Sequence, residues 1–119
     1  MIVTGAGRGI GRAYARLLTE RGASVVVNDI DAIDGVTDVG DASTAAGADA
    51  LVAAALDRHG RVDAVIANAG IVEWAGPGEA DEANLAAHLA VHVAGAFSLV
   101  RAAWPTMVEQ GGGRIVLTT

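Results

Sequence analysis

Residues 1–29 read MIVTGAGRGIGRAYARLLTERGASVVVND, and this stretch decides the fold. Residues 1–4 are a short apolar run, which predicts a buried strand. The turn that follows is Thr4-Gly5-Ala6-Gly7-Arg8-Gly9-Ile10-Gly11. From residue 10 to 21 the apolar residues Ile10, Ala13, Tyr14, Leu17 and Leu18 recur at helical spacing, and Gly22 ends that helix. Residues 24–28 (SVVVN) are a β-branched run, a second buried strand with Asp29 at its carboxyl end. Glycines between a strand and a helix serve a tight turn, close approach of backbone to a pyrophosphate, and close packing of helix on sheet. The helix N-terminus adds unpaired N–H groups and the positive end of a dipole. Asp29 lies 18 positions after Gly11, close to the ~20 residues expected for a carboxylate that binds a ribose 2′-hydroxyl. A carboxylate there repels a 2′-phosphate, so NAD is expected over NADP. Arg8 could argue the other way, but from the turn it can reach the pyrophosphate.

Beyond Asp29, residues 29–43 are acidic and glycine-punctuated, with a short third strand expected near 36–40. Residues 44–58 are alanine-rich and helical, with Leu51, Val52, Ala55 and Leu56 on one face, and Gly60 ends them. Residues 62–67 (VDAVIA) are a fourth strand, followed by Asn68-Ala69-Gly70 and a loop over 71–80. A long helix is expected over about 81–109, disturbed at Pro105, and Gly111-Gly112-Gly113 breaks it. Residues 114–119 (RIVLTT) are a fifth strand. Alternating strands and helices imply one α/β domain over residues 1–119, an open parallel sheet wound by right-handed crossovers. The strand order expected is 3-2-1-4-5, with ligand at the carboxyl ends of strands 1 and 4.

Composition narrows the function. The chain has 119 residues, 52% hydrophobic and 18% charged, enough apolar material for a core. A net charge of −6 disfavours a nucleic-acid partner. With no cysteine there is no disulfide, thiolate nucleophile or cysteine metal site. No apolar run approaches the roughly 20 residues that span a bilayer, and residues 1–11 lack a signal-peptide pattern, so a cytoplasmic protein without a membrane partner is expected. The acidic stretch from Asp29 to Asp41 fails as a calcium loop, because Ile33, Asp34 and Gly40 fall where a ligand, a glycine and a glutamate are needed. His88 and His92 lie four apart on one helix face, but no third ligand has a recognisable spacing, so no metal is expected. His59 is read as a helix C-terminal charge, Trp74 as a loop residue on the substrate side, and Trp104 as core or subunit interface.

Thr4-Gly-x-x-x-Gly9-x-Gly11 together with Asn68-Ala69-Gly70 resembles the short-chain dehydrogenase/reductase superfamily over nearly the whole chain. The resemblance implies hydride transfer between NAD and an alcohol or ketone, a small-molecule substrate, and a homo-oligomer built through the long helix. Gly5, Gly7, Arg8, Gly9 and Ile10 would then hold the pyrophosphate and Asp29 the adenosine ribose. Asp41 and Ala42 stand where the family contacts adenine, a better spacing to Asn68 than Asp38-Val39 offers. Asn68, Ala69 and Gly70 would flank the nicotinamide-side ribose. Val26-Val27-Asn28-Asp29, His92-Val-x-Gly95-x-Phe97 and Arg101-Ala-Ala-Trp104-Pro105 are similar to the 3-hydroxyacyl-CoA dehydrogenase units of peroxisomal-type multifunctional enzymes.

Four departures stand out. The family's Tyr-x-x-x-Lys pair is missing: the one tyrosine is Tyr14, in the first helix, and there is no lysine. The family's catalytic serine would follow the fifth strand, where Thr119 is the last residue, and Thr118 and Thr119 do not replace it without a general base. His92 takes the place of the family's catalytic asparagine. The helix usual between strands 2 and 3 has no room between Asp29 and Asp41. The expectation is therefore a dehydrogenase cut short after strand five. The alternatives are a nucleotide-binding module or decayed remnant without turnover, and a different Rossmann enzyme such as a methyltransferase, against which Asn68-Ala69-Gly70 argues.

Overall fold

The computed structural model describes residues 1–119. Five strands form one parallel sheet in the order β3-β2-β1-β4-β5: β1 (Ile2–Val3), β2 (Val26–Asp29), β3 (Asp38–Val39), β4 (Ala64–Ala67) and β5 (Arg114–Leu117). The helices are α1 (Gly9–Glu20), α2 (Ala45–His59) and α3 (Glu82–Glu109). The strand order is the expected one, and the strands are shorter than the apolar runs that announced them.

Strand periodicity divides the interior in two. Ile2, Val26, Val65 and Ala67 face one way and join Leu51, Val52 and Ala55 of α2 and Leu99, Ala103 and Met107 of α3. Val3 and Ile66 face the other way and meet Ala15 of α1. The first layer is the larger: its core cluster holds 12 buried residues against 4 on the α1 side. On the α1 side the expected apolar face is largely open, with Ile10, Tyr14 and Leu17 exposed and only Gly11 and Ala15 buried. One helix on that face cannot cover what two would.

The β2–β3 crossover contains no helix. Parallel neighbours usually need a dozen or more connecting residues. Here residues 30–37 suffice because side chains do the holding. Thr37 Oγ1 accepts the Val27 N–H at 3.0 Å, and Thr37 N–H donates to the Val27 carbonyl at 2.9 Å. Asn28, fully buried, donates from Nδ2 to the carbonyls of Asp38 (3.2 Å) and Gly40 (3.1 Å). The third strand survives, reduced to a two-residue pairing of Asn28 with Asp38 and Asp29 with Val39.

Three expectations need correction. The disturbance in α3 is not at Pro105, which the last stretch of the helix absorbs. It lies at Leu89–Gly95, where one π-helical segment joins two α-helical ones. Of the two places expected for Trp104, core or subunit interface, the core is excluded, because the side chain is 56% exposed. And α3 is long and apolar enough to cross a membrane, which its scattered apolar runs concealed. In this fold it packs against α2 through Leu99, Ala103 and Met107.

Candidate functional site

The carboxyl ends of the strands surround a groove with a cavity volume of about 490 Å³. Gly5, Arg8, Ile10, Asp29, Asp41, Ala42, Asn68, Ala69, Gly70 and His92 all line it. Of the residues singled out for cofactor binding, only Gly7 and Gly9 are outside its wall, and both belong to the turn beneath it.

The turn is built by exclusion of side chains. A Cβ on Gly11 would strike the Gly5 carbonyl and stand 2.5 Å from Asn68 Nδ2, so α1 could not seat on the sheet. Gly9 has φ +56° and faces open space. It keeps the start of α1 bare where a side chain would be strained and in the way. The helix N-terminus is bare in a second sense. Thr44 caps α2 and Asp81 caps α3 through side-chain oxygens, whereas Arg8 leaves the first amides of α1 without a side-chain partner. Unpaired amides at a helix start suit an anion. The residues present therefore fit a dinucleotide's pyrophosphate.

Asp29 ends β2 and is only 5% exposed. Its Oδ2 accepts the Gly7 N–H at 2.9 Å and its Oδ1 accepts the Asp31 N–H at 3.2 Å. A Cβ on Gly7 would sit 2.9 Å from that Oδ2, so glycine is needed for the turn to meet the carboxylate. The two bonds fix the carboxylate on the groove wall.

Asp41 turns its Oδ1 to Ser43, accepting from the backbone N–H (2.9 Å) and the hydroxyl (2.6 Å). That bond shapes the entry to α2 and puts Ala42, buried, on the groove wall. The competing Asp38-Val39 is β3 itself, with Asp38 beside Arg58 at 3.7 Å.

Asn68 bridges the two central strands. Its Nδ2 donates to the carbonyls of Thr4 (3.1 Å) and Gly5 (3.2 Å). In return Thr4 Oγ1 accepts the N–H groups of Asn68 and Ala69, both at 3.1 Å. Thr4 opens the glycine motif, yet its hydroxyl role is not visible in the sequence pattern. Gly70 lies under the His92 ring, whose Cε1 would stand 2.6 Å from an added Cβ.

His92 is tied to the loop after Gly70. Its Nε2 faces the Ile71 N–H at 3.2 Å and the Ile71 carbonyl at 2.9 Å, so it meets Ile71 in either tautomer. His88 accepts from the Glu73 N–H through Nε2 (3.4 Å) and meets the Asn84 carbonyl through Nδ1 (2.8 Å). The two rings stack at 5.9 Å and no acidic or third imidazole group joins them. Together they tie the 71–73 segment to α3. The π-helical segment carries Val91 and His92 to the groove and lets Gly95 approach Ser43 Cα, 3.1 Å from a notional Cβ. Trp74 is 95% exposed on this loop. A smaller cavity of about 90 Å³ continues inward between His92, Ala69, Leu99 and Thr118. His59 and Arg58 are the basic residues of the last turn of α2. The displaced titrations lie at the opposite end of the sheet. Asp63, just before β4, is held below the usual carboxylate range by its hydrogen bond from Arg61.

A parallel sheet in this order, with a glycine turn and bare helix start after β1 and a carboxylate at the end of β2, defines a Rossmann-type fold. The sequence family described as short chain dehydrogenase matches residues 1–119, and the chain belongs to that family. The peroxisomal hydratase-dehydrogenase-epimerase of Neurospora crassa is 40% identical over 127 residues, covering 99% of this chain and 14% of that protein. The peroxisomal multifunctional enzyme type 2 of Mus musculus is 36% identical over 141 residues, covering 100% of this chain and 19% of that protein. A solved short-chain dehydrogenase from Streptomyces avermitilis superposes with a TM-score of 0.85 at 30% identity, covering 96% of this chain and 46% of the other. The chain thus spans less than half the length of each of these relatives. NAD(P) binding is the family's general property.

Proposed function

We propose that residues 1–119 are the nucleotide-binding domain of an NAD-dependent dehydrogenase acting on a small alcohol or ketone. One observation carries the choice of NAD: the buried Asp29 carboxylate, fixed by Gly7 and Asp31, at the end of β2. Bound NAD supplies the hydride acceptor. Around it, the α1 N-terminus with Gly5, Gly7, Arg8, Gly9 and Ile10 holds the pyrophosphate, and Asp29 takes the adenosine ribose. Asp41 and Ala42 border the adenine, and Asn68, Ala69 and Gly70 flank the second ribose. His92 stands at the substrate end. The similarity to peroxisomal multifunctional enzymes favours a 3-hydroxyacyl-type substrate. A second copy packs on the exposed Leu89, Val93, Phe97 and Trp104 of α3, and the protein works in the cytoplasm.

The proton-transfer half is not among these residues. Tyr14, the one tyrosine, sits on α1, and there is no lysine to pair with it. That same fact favours a second reading, a module that binds nucleotide without turnover. Titration with NAD and NADP, followed by tryptophan or nucleotide fluorescence, tests the binding claim. Saturable NAD binding that weakens about tenfold or more in Asp29→Asn supports it, the loss of one charged hydrogen bond being worth about 1.5–3 kcal/mol. Tighter binding of NADP than of NAD would refute the assignment. Incubation with NAD and 3-hydroxyacyl substrates separates the two readings: NADH formation requires catalytic groups, and its absence alongside tight binding marks the module.

A further inference from the structure

Arg8 is the one arginine that lines the groove, and it is already paired. Its Nη2 meets Asp31 Oδ2 at 3.3 Å, across the mouth where α1 begins. Asp31 is itself held in place, because its N–H donates to Asp29 Oδ1 at 3.2 Å. The three residues form a chain. Asp29 fixes the backbone of residue 31, and the carboxylate of residue 31 fixes Arg8.

A 2′-phosphate would enter beside Asp29 carrying about −1.5 to −2 charges. A site accepts that group when an arginine nearby offers a charge-assisted fork. Arg8 has the chemistry and the position, since its own residue caps the helix on which the pyrophosphate would rest. Resting on the nucleotide-binding reading above, we propose that Asp31 is a second determinant of nucleotide choice. It keeps Arg8 occupied, so a 2′-phosphate arriving beside Asp29 finds no free cation. Asp29 refuses the phosphate from the floor of the groove, and Asp31 refuses it from the rim.

Both members of the pair are solvent-exposed, with side chains 75% and 55% accessible. The pair is thus a weak lock, of the size exposed charges have in water. Asp31→Asn keeps the side-chain shape and removes the charge. It is expected to lower the ratio of the NADP to the NAD dissociation constant about two- to fivefold at low salt, and less at high salt, where screening is stronger.

The experiment is equilibrium titration of the purified protein with NAD and with NADP, for wild type, Asp31→Asn, Arg8→Gln, the double variant and Glu20→Gln. Glu20 pairs with Arg16 at the other end of α1, so its variant changes net charge equally without touching the groove. The proposal expects the ratio to fall in Asp31→Asn, to return toward wild type when Arg8→Gln is added, and to stay constant in Glu20→Gln. An unchanged ratio in Asp31→Asn, or a fall that persists without Arg8, overturns it while NAD binding by wild type leaves the domain assignment standing. A folded wild type that binds neither nucleotide overturns the assignment and this inference with it.

Discussion

Thr4→Val is the sharpest perturbation the site offers, because it changes one atom's chemistry and almost nothing of the shape. Thr4 is 2% exposed at the end of β1. Its hydroxyl oxygen accepts two backbone N–H groups, from Asn68 and Ala69, each at 3.1 Å. A methyl group there accepts neither and blocks replacement by water. An amide left without its acceptor costs about 1–3 kcal/mol. Both amides are only partly buried, so the lower half of that range applies, and the pair sums to roughly 2–4 kcal/mol. Thr4→Ser keeps the acceptor and loses one buried methyl, about 0.8 kcal/mol. The assay is urea unfolding of wild type and both variants, with far-ultraviolet circular dichroism and tryptophan emission read in parallel. A coincident transition in the two signals licenses a two-state free energy. The expected order is wild type, then Thr4→Ser, then Thr4→Val, with the last two separated by at least about 1 kcal/mol. Dissociation constants for NAD should follow the same order, since Asn68 and Ala69 border the groove. A valine variant within about 0.5 kcal/mol of wild type would refute the reasoning. So would a serine variant as damaged as valine, because the methyl and not the hydroxyl would then be what matters.

Gly9→Ala tests the bare helix start. The φ of +56° makes any side chain strained, at about 1 kcal/mol. The open space above means no clash in the free protein, so folding should survive while the NAD dissociation constant rises about tenfold or more, as expected where backbone must approach the pyrophosphate. Unaltered affinity in a titration would show that the pyrophosphate lies elsewhere. Arg61→Gln tests the pair at the opposite end of the sheet. Arg61 Nη2 and Nε meet Asp63 Oδ1 at 2.7 and 2.9 Å, and the Asp63 carboxyl is held below its ordinary 3.8. A carboxylate depressed by folding stabilises above its unfolded pKa and loses that contribution as pH falls through the folded value. Arg61→Gln should therefore be less stable than wild type at pH ~7, and the gap should close below pH ~4. A gap that persists undiminished in strong acid, measured by thermal melts across pH, would assign it to lost packing of the arginine stem instead.

The parts of this fold that were legible in the sequence are those encoded locally. Near-continuous β-branched runs mark strands covered on both faces, and the strand–glycine turn–helix order fixes their parallel winding. The carboxylate at residue 29 could be placed because spacing along one βαβ unit maps directly to position at a strand end. What escaped was encoded between elements. Ile10, Tyr14 and Leu17 have helical spacing, but spacing names a face and not its cover, and that face is open. The π-helical segment at Leu89–Gly95 is a change of hydrogen-bond register with no propensity signature; Gly95 was its one trace. Pro105 drew attention because proline usually breaks a helix, yet the helix runs on through Met107 to Glu109. The Arg8–Asp31 pair and the Thr4 hydroxyl bonds join residues 23 and 64 or more apart, beyond any window of local pattern.

Those unpredicted ties explain how a site can stand on so abbreviated a sheet. Three of the four neighbouring pairs of strands are fastened at their carboxyl ends by side chains. Asn28 joins β2 to β3 through two carbonyls, Asp29 joins β2 to the turn after β1, and Thr4 with Asn68 joins β1 to β4. The lacing runs in the order of the sheet and lies entirely at its carboxyl edge, where the groove opens. A crossover helix between β2 and β3 would have braced the strands from one face, through apolar contacts spread along their length. Hydrogen bonds at the ends brace them only where the nucleotide would lie. The layer on the α1 side is thin, with four buried residues, while the geometry of the groove is kept by polar contacts that do not depend on that layer. Stability and site geometry are separable in this chain: substitutions on the open face of α1 should move the melting temperature and spare nucleotide affinity, whereas Thr4, Asn28 and Asp29 should couple the two.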